Sequence, residues 1–285
     1  MDIKKKIISL PSIWELIQKS KLLPKKSLGQ NFILDLNITN KIAQLAQCSH
    51  KDLIEIGPGL GSLTRSMFIE DARSIIAIEK DKKSIHYLSG LKDICGDKLI
   101  LINGDALKLP LESFAPFPKS IIGNLPYNIS TRLLTSWLRQ IHYNQFIFIE
   151  NITITIQKEL ADRIISLNGS KKYGRLSVFI HLLSNTQKLL ELTPSVFYPE
   201  PKVFSSVISI NPLKKPRYEV NLRTFEKITM LAFGQRRKML RTSLKTIGGS
   251  ELLKKADIDE TKRPENLSTK DFCNLSNTYD QLRCL

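Results

Sequence analysis

Leu53-Ile-Glu-Ile-Gly-Pro-Gly-Leu-Gly61 is a short apolar run that breaks into three glycines separated by one residue each. An apolar run of this length reads as a buried strand, and glycines directly after it let the backbone turn tightly into a helix whose N-terminus meets a ligand. The same transition recurs downstream. Apolar runs at Leu53–Ile56, Ile75–Ile78, Leu99–Ile102, Ile121–Ile122, Phe146–Ile149, Val178–Leu183 and Val207–Ile210 read as strands, with helical patterns between most of them. Such alternation predicts an α/β fold: a mostly parallel sheet with helices on both faces, and ligands at the carboxyl ends of the strands. The last two runs are expected to pair antiparallel, because Pro194, Pro199 and Pro201 break any helix between them.

Four of those strand ends carry polar residues. After the first come Gly57 and Gly59, and at the end of the second stands Glu79, placed to accept both hydroxyls of a ribose. Two nucleoside cofactors compete for this pattern, beside a glycine turn with no ligand. A dinucleotide fingerprint needs glycine or alanine at the sixth position from Gly57, and Ser62 stands there. A glycine turn with no pyrophosphate to cradle suits S-adenosylmethionine instead. The third end, Asn103-Gly-Asp-Ala106, offers the Asp105 carboxylate for an adenine amine and the Ala106 N–H for a ring nitrogen.

The fourth end is Asn124-Leu-Pro-Tyr127, where proline takes the chain out of the sheet. The Asn124 side-chain oxygen and the Pro126 carbonyl suit the N–H hydrogens of an aromatic amine, and the Tyr127 ring suits its flat face. Transfer of a methyl group to such an amine is difficult because its lone pair is delocalised into the ring. Acceptors that favour a tetrahedral nitrogen stabilise the transition state more than the ground state. Further on, Phe197 or Tyr198, stiffened by Pro199 and Pro201, is expected to present a second ring that sandwiches an unstacked base.

The net charge of +16 calls for a polyanionic partner, of which nucleic acid is the commonest. Much of it lies at the ends: seven lysines against three acids in residues 1–36, and sixteen basic against nine acidic residues in 212–285. Lys25, Lys26 and Lys158, and the block Arg236, Arg237, Lys238 and Arg241, are the candidates for RNA phosphates. Cys48, Cys95, Cys273 and Cys284 stand apart without attendant histidines, so neither a metal site nor a disulfide framework is expected, and a reducing cytoplasm fits. No uncharged apolar run reaches the ~18–20 residues that span a bilayer, and Met1-Asp-Ile-Lys-Lys-Lys6 lacks the apolar core of a secretory signal. A monomer without a membrane partner is expected. Residues 1–24 read as a basic extension with a short helix around Ile13–Ile17, residues 25–212 as the sheet domain, and residues 213–285 as a small all-helical domain. Its helices are expected near Leu222–Phe233, Arg237–Thr246, Ser250–Ala256 and Thr269–Asn277.

Ser27-Leu-Gly-Gln-Asn-Phe32, Glu55-Ile-Gly-Pro-Gly-Leu-Gly-Ser-Leu-Thr64, Ile78-Glu-Lys-Asp81, Gly104-Asp-Ala106, Asn124-Leu-Pro-Tyr127, Tyr173-Gly-Arg-Leu-Ser177, Phe197-Tyr-Pro-Glu-Pro-Lys-Val203 and Gln235-Arg-Arg-Lys-Met-Leu-Arg241 follow one another in a fixed order. Together they resemble the ribosomal RNA adenine N6,N6-dimethyltransferase family, in its bacterial small-subunit branch, over about residues 25–285. The resemblance implies a Rossmann-like S-adenosylmethionine-dependent methyltransferase sheet and dimethylation of two adjacent adenosines in the 3′-terminal hairpin loop of 16S ribosomal RNA. It implies cofactor contacts at Asn31, Ile33, Gly57, Glu79, Asp105 and Asn124, to which the reading of the strand ends adds Gly59 and Ala106, and it puts Asn124, Tyr127 and Phe197 at the target adenine, where that reading adds the Pro126 carbonyl. It also implies that the C-terminal domain docks on RNA in a small-subunit precursor. The chain departs from the family pattern at Ile33 for leucine, at Glu200 within a proline run, and at Phe204, where an acid is common. Glu150–Gln157 is also more β-branched than the helix start usual there. A binding protein that assists subunit assembly without catalysis, or a methyltransferase of large-subunit RNA, is the alternative.

Overall fold

The computed structural model describes residues 3–20, 24 and 29–283. The chain opens with α1 (Ile3–Ile8) and α2 (Ile13–Ser20), then β1 (Phe32–Ile33) and α3 (Leu36–Leu45). Ser12 and Glu15 start α2 reciprocally: the Glu15 N–H donates to Ser12 Oγ at 3.2 Å and the Ser12 N–H to Glu15 Oε2 at 2.9 Å. Strands and helices then alternate: β2 (Asp52–Ile56), α4 (Ser62–Ile69), β3 (Ser74–Glu79), α5 (Lys82–Cys95), β4 (Leu99–Asn103), β5 (Lys119–Asn124), α6 (Ser130–Tyr143) and β6 (Ile149–Gln157). There follow α7 (Lys158–Ile165), α8 (Arg175–Leu183), β7 (Ser184–Leu192), β8 (Phe197–Tyr198) and β9 (Ser205–Pro212). The chain closes with α9 (Leu222–Gly234), α10 (Leu240–Ser243), α11 (Gly249–Lys255) and α12 (Thr269–Arg283).

Seven strands form one sheet in the order β4-β3-β2-β5-β6-β9-β7, and β1 pairs with β8 in a separate antiparallel ribbon. Strands β2 to β6 run parallel, and β9 lies antiparallel to β6, from Ile152 opposite Ile210 to Gln157 opposite Ser205. The chain winds outward from β2 to β4 and then returns to lay β5 on the other side of β2. That reversal opens a crevice above the carboxyl ends of β2 and β5, the place where open α/β sheets bind ligands. Gly123 makes the close approach possible, because a β-carbon there would lie 2.6 Å from the Ile56 carbonyl oxygen. The strand interiors are apolar on both faces, with Leu53, Ile54, Ile75, Ile121 and Ile152 at 1% exposure or less.

Two runs fold differently from the expectation. Val178–Leu183 is not a strand but the last turns of α8, and the strand follows it in β7. A short run that is apolar on every side carries no period, so a buried helix end and a buried strand look alike in sequence. Strand β7 lies at the sheet margin, and its Ser184-Asn-Thr-Gln-Lys188 start carries no apolar signature. Strand β6 begins at Ile149 and reaches Gln157, while Phe146 is exposed; the β-branched Ile152, Thr153, Ile154, Thr155 and Ile156 are all buried in the sheet.

The contacts divide the chain into two compact units, one through Ala161 with Gln187–Pro212, the other Asp162–Thr186 with Leu213–Leu285. Residues 162–186 are therefore grouped with the helical part, whereas the sequence assigned them to the sheet domain. In that second unit α8, α9 and α12 bury Phe225 and Phe272, and Phe233 stacks near Tyr173 and Phe272 at 6.2 and 5.5 Å. The helix expected over Arg237–Thr246 is shorter, confined to Leu240–Ser243 with a 3-10 turn after it. In the first unit, residues 3–20 are not an appended extension. Ile7 is buried in the core shared with α4 and α5, and Ile13 and Ile17 join Phe32 and Leu60 in a second apolar cluster. Among the described residues no helix is long and apolar enough to cross a membrane.

Candidate active site

The glycine turn after β2 begins the site. Gly59 has φ +58°, a conformation side-chain-bearing residues rarely adopt, and its N–H donates to Glu79 Oε2 at 3.0 Å. The other carboxylate oxygen of Glu79 accepts the Asp81 N–H at 2.7 Å. Glu79 is thereby fixed at the end of β3 with one N–H on each oxygen, and each oxygen keeps capacity for a further donor. Burial pushes its carboxyl above the ordinary range, while the Asp81 and Gly59 N–H groups pull it back.

At the end of β4, Asp105 accepts from Lys80 Nζ at 3.0 Å and from the Leu107 N–H at 3.0 Å. The Lys80 hydrogen bond holds the Asp105 carboxyl below the usual carboxylate range. At the end of β5, the Asn124 side-chain N–H donates to the Asn31 carbonyl at 2.7 Å. That bond settles the amide's orientation and leaves Oδ1 as the free acceptor, among the described residues. The Pro126 carbonyl differs: it already accepts the Ser130 hydroxyl at 2.9 Å and the Ile129 N–H at 3.2 Å. Asn124 Oδ1, not Pro126 O, is the acceptor this geometry leaves open. The Tyr127 hydroxyl is 2.7 Å from Ser205 Oγ on β9, and burial pushes the phenol up.

These strand ends share one cavity of about 140 Å³, open to solvent. Asn31, Gly57, Gly59, Glu79, Asp105 and Ala106 line it, as do Asn124, Pro126 and Tyr127. Ile33 is not on that wall. It is 4% exposed and borders a smaller adjoining cavity that shares Phe32, Gly57 and Asn124 with the large one. Phe197 is not on the wall either: it pairs with Ile33 across the β1–β8 ribbon and is 4% exposed within the core. The second ring expected opposite Tyr127 is absent there because alternation along β8 turns Phe197 into the core and Tyr198 toward Phe32 and Trp14.

Sequence reasoning passed over Lys80, which lines the cavity beside Glu79, and Phe32, which ends the Gln-Asn-Phe stretch. Both adjoin residues singled out on other grounds, and that adjacency was the available signal. Ser205 carried none.

The candidate phosphate contacts fall into three groups. Lys25 and Lys26 lie outside the described residues. Lys158 pairs with Glu191 at 2.6 Å and lies 5.5 Å from the centre of the exposed Phe204 ring. In the second unit Arg236 is held by Glu265 and the Lys171 carbonyl, and Arg241 by Glu260, while Arg237 and Lys238 are exposed.

The family model "Ribosomal RNA adenine dimethylase" matches residues 22–281. The chain belongs to the ribosomal RNA adenine dimethylase family. Curated relatives in this dimethylase family carry the name "Ribosomal RNA small subunit methyltransferase A". The one from Wolbachia sp. subsp. Drosophila simulans (strain wRi) is 43% identical over 271 residues, covering 94% of this chain and 98% of its own. The one from Allorhizobium ampelinum is 42% identical over 270 residues, covering 94% and 97%. Among solved structures, a dimethyladenosine transferase from Plasmodium falciparum superposes with a TM-score of 0.72 at 23% identity, covering 87% of this chain and 96% of its own. The 23S rRNA methyltransferase ErmE superposes with a TM-score of 0.65 at 24% identity, covering 88% and 100%. At those identities the superpositions speak for the dimethylase fold alone.

Proposed function

We propose that this dimethylase uses S-adenosylmethionine to methylate the N6 amines of two adjacent adenosines in the 3′-terminal hairpin loop of 16S ribosomal RNA, twice each, within the maturing small subunit. The observation that carries the reading is the free acceptor Asn124 Oδ1 in the same cavity as Glu79 and Asp105. A nucleoside cofactor fits the residues present. Glu79 has acceptor capacity for two ribose hydroxyls, Asp105 is held ionised beside Ala106 for an adenine edge, and the Gly57 and Gly59 backbone leaves the approach open. The cofactor, when bound, supplies an electrophilic methyl group on a sulfonium.

The chain's own part is to present the amine. Asn124 Oδ1 accepts one N6–H and favours the pyramidal nitrogen of the transition state, and Tyr127 stacks on the base. Among the described residues no histidine lines the cavity, and burial pushes the Tyr127 phenol up, so neither serves as a strong base. None is needed early, because the nitrogen becomes cationic on methylation and its proton then passes to water.

The second unit, with exposed Arg237 and Lys238 and a surplus of basic residues in 212–285, suits docking on RNA phosphates. The reading makes the small-subunit precursor the partner, the cytoplasm the place of action and a monomer the working form, since one chain completes the cavity.

The test incubates labelled S-adenosylmethionine with immature small subunits, wild-type protein and Asn124→Ala. Label in 16S adenine with wild type alone is expected. Subunit binding without any label would favour the assembly-factor reading, and label in large-subunit RNA would move the target.

A further inference from the structure

Residues 3–20 lie ahead of the family match at 22–281, yet α2 packs against Phe32, which does line the large cavity. Ile13 and Ile17, 1% and 5% exposed, pack with Phe32 and Leu60, and Trp14 meets the Tyr198 ring edge-on at 5.4 Å. Phe32 and Tyr198 are register partners across β1 and β8. The turn ahead of α2 is tied down separately: Arg65, 4% exposed on α4, donates from Nη1 to the Pro11 carbonyl at 2.6 Å. One edge of the Phe32 ring in turn lies close to Gly59, since a β-carbon at Gly59 would sit 2.6 Å from Phe32 Cε1 and 2.9 Å from Cδ1. Ile13 also borders the smaller cavity, together with Phe32, Gly57 and Asn124.

The chain of contact thus runs from α2 through Phe32 to the glycine whose N–H holds Glu79. A family member lacking these helices would leave Phe32 and Tyr198 uncovered on that side, and the residues just before Phe32, Gln30 and Asn31, line the large cavity.

We propose that α2 is a positioning strap for the cofactor seat: Ile13, Trp14 and Ile17 hold Phe32 against Gly59 and thereby set the affinity for the nucleoside cofactor. The inference rests on the reading of the cavity as an S-adenosylmethionine site. These three are positioning residues, none of them touching the reacting atoms. A strap of this kind acts on binding, because bound cofactor itself restores the seat.

The test uses the full chain with Trp14→Ala and with the double variant Ile13→Ala/Ile17→Ala. Calorimetry measures the Kd for S-adenosylhomocysteine at a temperature where circular dichroism shows each variant folded. Expected are a Kd and a cofactor KM raised about fivefold in the first and tenfold or more in the second, kcat at saturating cofactor within twofold of wild type, and recovery in Trp14→Phe. Folded variants with wild-type Kd and KM, however much their thermal midpoint falls, would overturn the strap. Should the double variant fail to fold, Trp14→Ala, half-exposed and outside the sheet core, decides the matter by itself. A wild type that binds no S-adenosylhomocysteine removes the cofactor reading and this inference with it, an outcome distinct from equal affinities.

Discussion

The side-chain N–H of Asn124 donates to the main-chain carbonyl of Asn31 at 2.7 Å, joining the end of β5 to a segment 93 residues earlier. This bond gives the amide a sense of direction: its donor faces the N-terminal segment, and its oxygen is the acceptor that the proposed function assigns to the substrate amine. Asn124→Ala removes the acceptor and is expected to lower kcat by about 10²–10³, the cost of losing one pre-aimed transition-state partner. Asn124→Asp is expected to be at least as damaging, because one carboxylate oxygen would then face the Asn31 carbonyl with no proton between them. Single-turnover methylation at saturating cofactor checks both; wild-type rates in Asn124→Asp would show that the orientation is irrelevant.

Tyr127 separates ring from hydroxyl. Tyr127→Phe keeps the stacking face and loses only the 2.7 Å contact with Ser205, worth about 0.5–1.5 kcal/mol, so a fall in kcat/KM of about tenfold or less is expected. Tyr127→Ala loses the base-stacking face, worth ~1–3 kcal/mol, and is expected to cost about ten- to a hundredfold in kcat/KM for the RNA while the Kd for S-adenosylhomocysteine moves little. Equal losses in the two variants would show that the hydroxyl, not the ring, is what matters.

The strand ends could be read from sequence because each follows an apolar run, buried on both faces in β2, β3 and β5 and partly exposed at the edge in β4, and a break in such a run has few other meanings. Gly57, Glu79, Asp105 and Asn124 come together for that reason. What escaped the reading is contact between distant segments. Tyr127 meets Ser205 across 78 residues. Phe197 was expected on the cavity wall, and a single step of alternation in a two-residue strand moved it into the core. Ile7 follows Lys4, Lys5 and Lys6 directly, and Ile13 and Ile17, though spaced for a helix, find their partners Phe32 and Leu60 well beyond it in sequence, so their burial does not show in a stretch that reads as a basic extension.

Gly59 meets two demands at once, a positive φ and the Phe32 ring against its Cα. Gly59→Ala adds a β-carbon 2.6 Å from Phe32 Cε1 in a conformation that alanine resists, and left-handed backbone at a non-glycine residue costs of order 1–3 kcal/mol. The turn is expected to shift away from Glu79, with a Kd for S-adenosylhomocysteine raised about tenfold or more. Paired with Phe32→Leu, which relieves the ring contact but not the backbone strain, part of the affinity is expected to return. No recovery in the double variant would assign the whole effect to φ.

Glu55 supplies the pH prediction. It is 1% exposed beneath the glycine turn, accepts the Thr64 hydroxyl at 2.6 Å, and burial drives its pKa up to about 8, against the lowering effect of that bond. The folded chain therefore binds a proton at Glu55 between the ordinary carboxylate range near 4.5 and about 8, where the unfolded chain has lost it. With more protons bound in the folded state, stability falls as pH rises through that window, and the contribution is fully present only below the unfolded value. Glu55→Gln keeps the shape and an acceptor for Thr64 while removing the titration. Thermal midpoints measured from pH 5 to pH 9 are expected to decline in wild type and to decline less in Glu55→Gln. Parallel curves for the two proteins would mean that Glu55 is ionised in the folded state throughout, with a partner for its charge beyond Thr64.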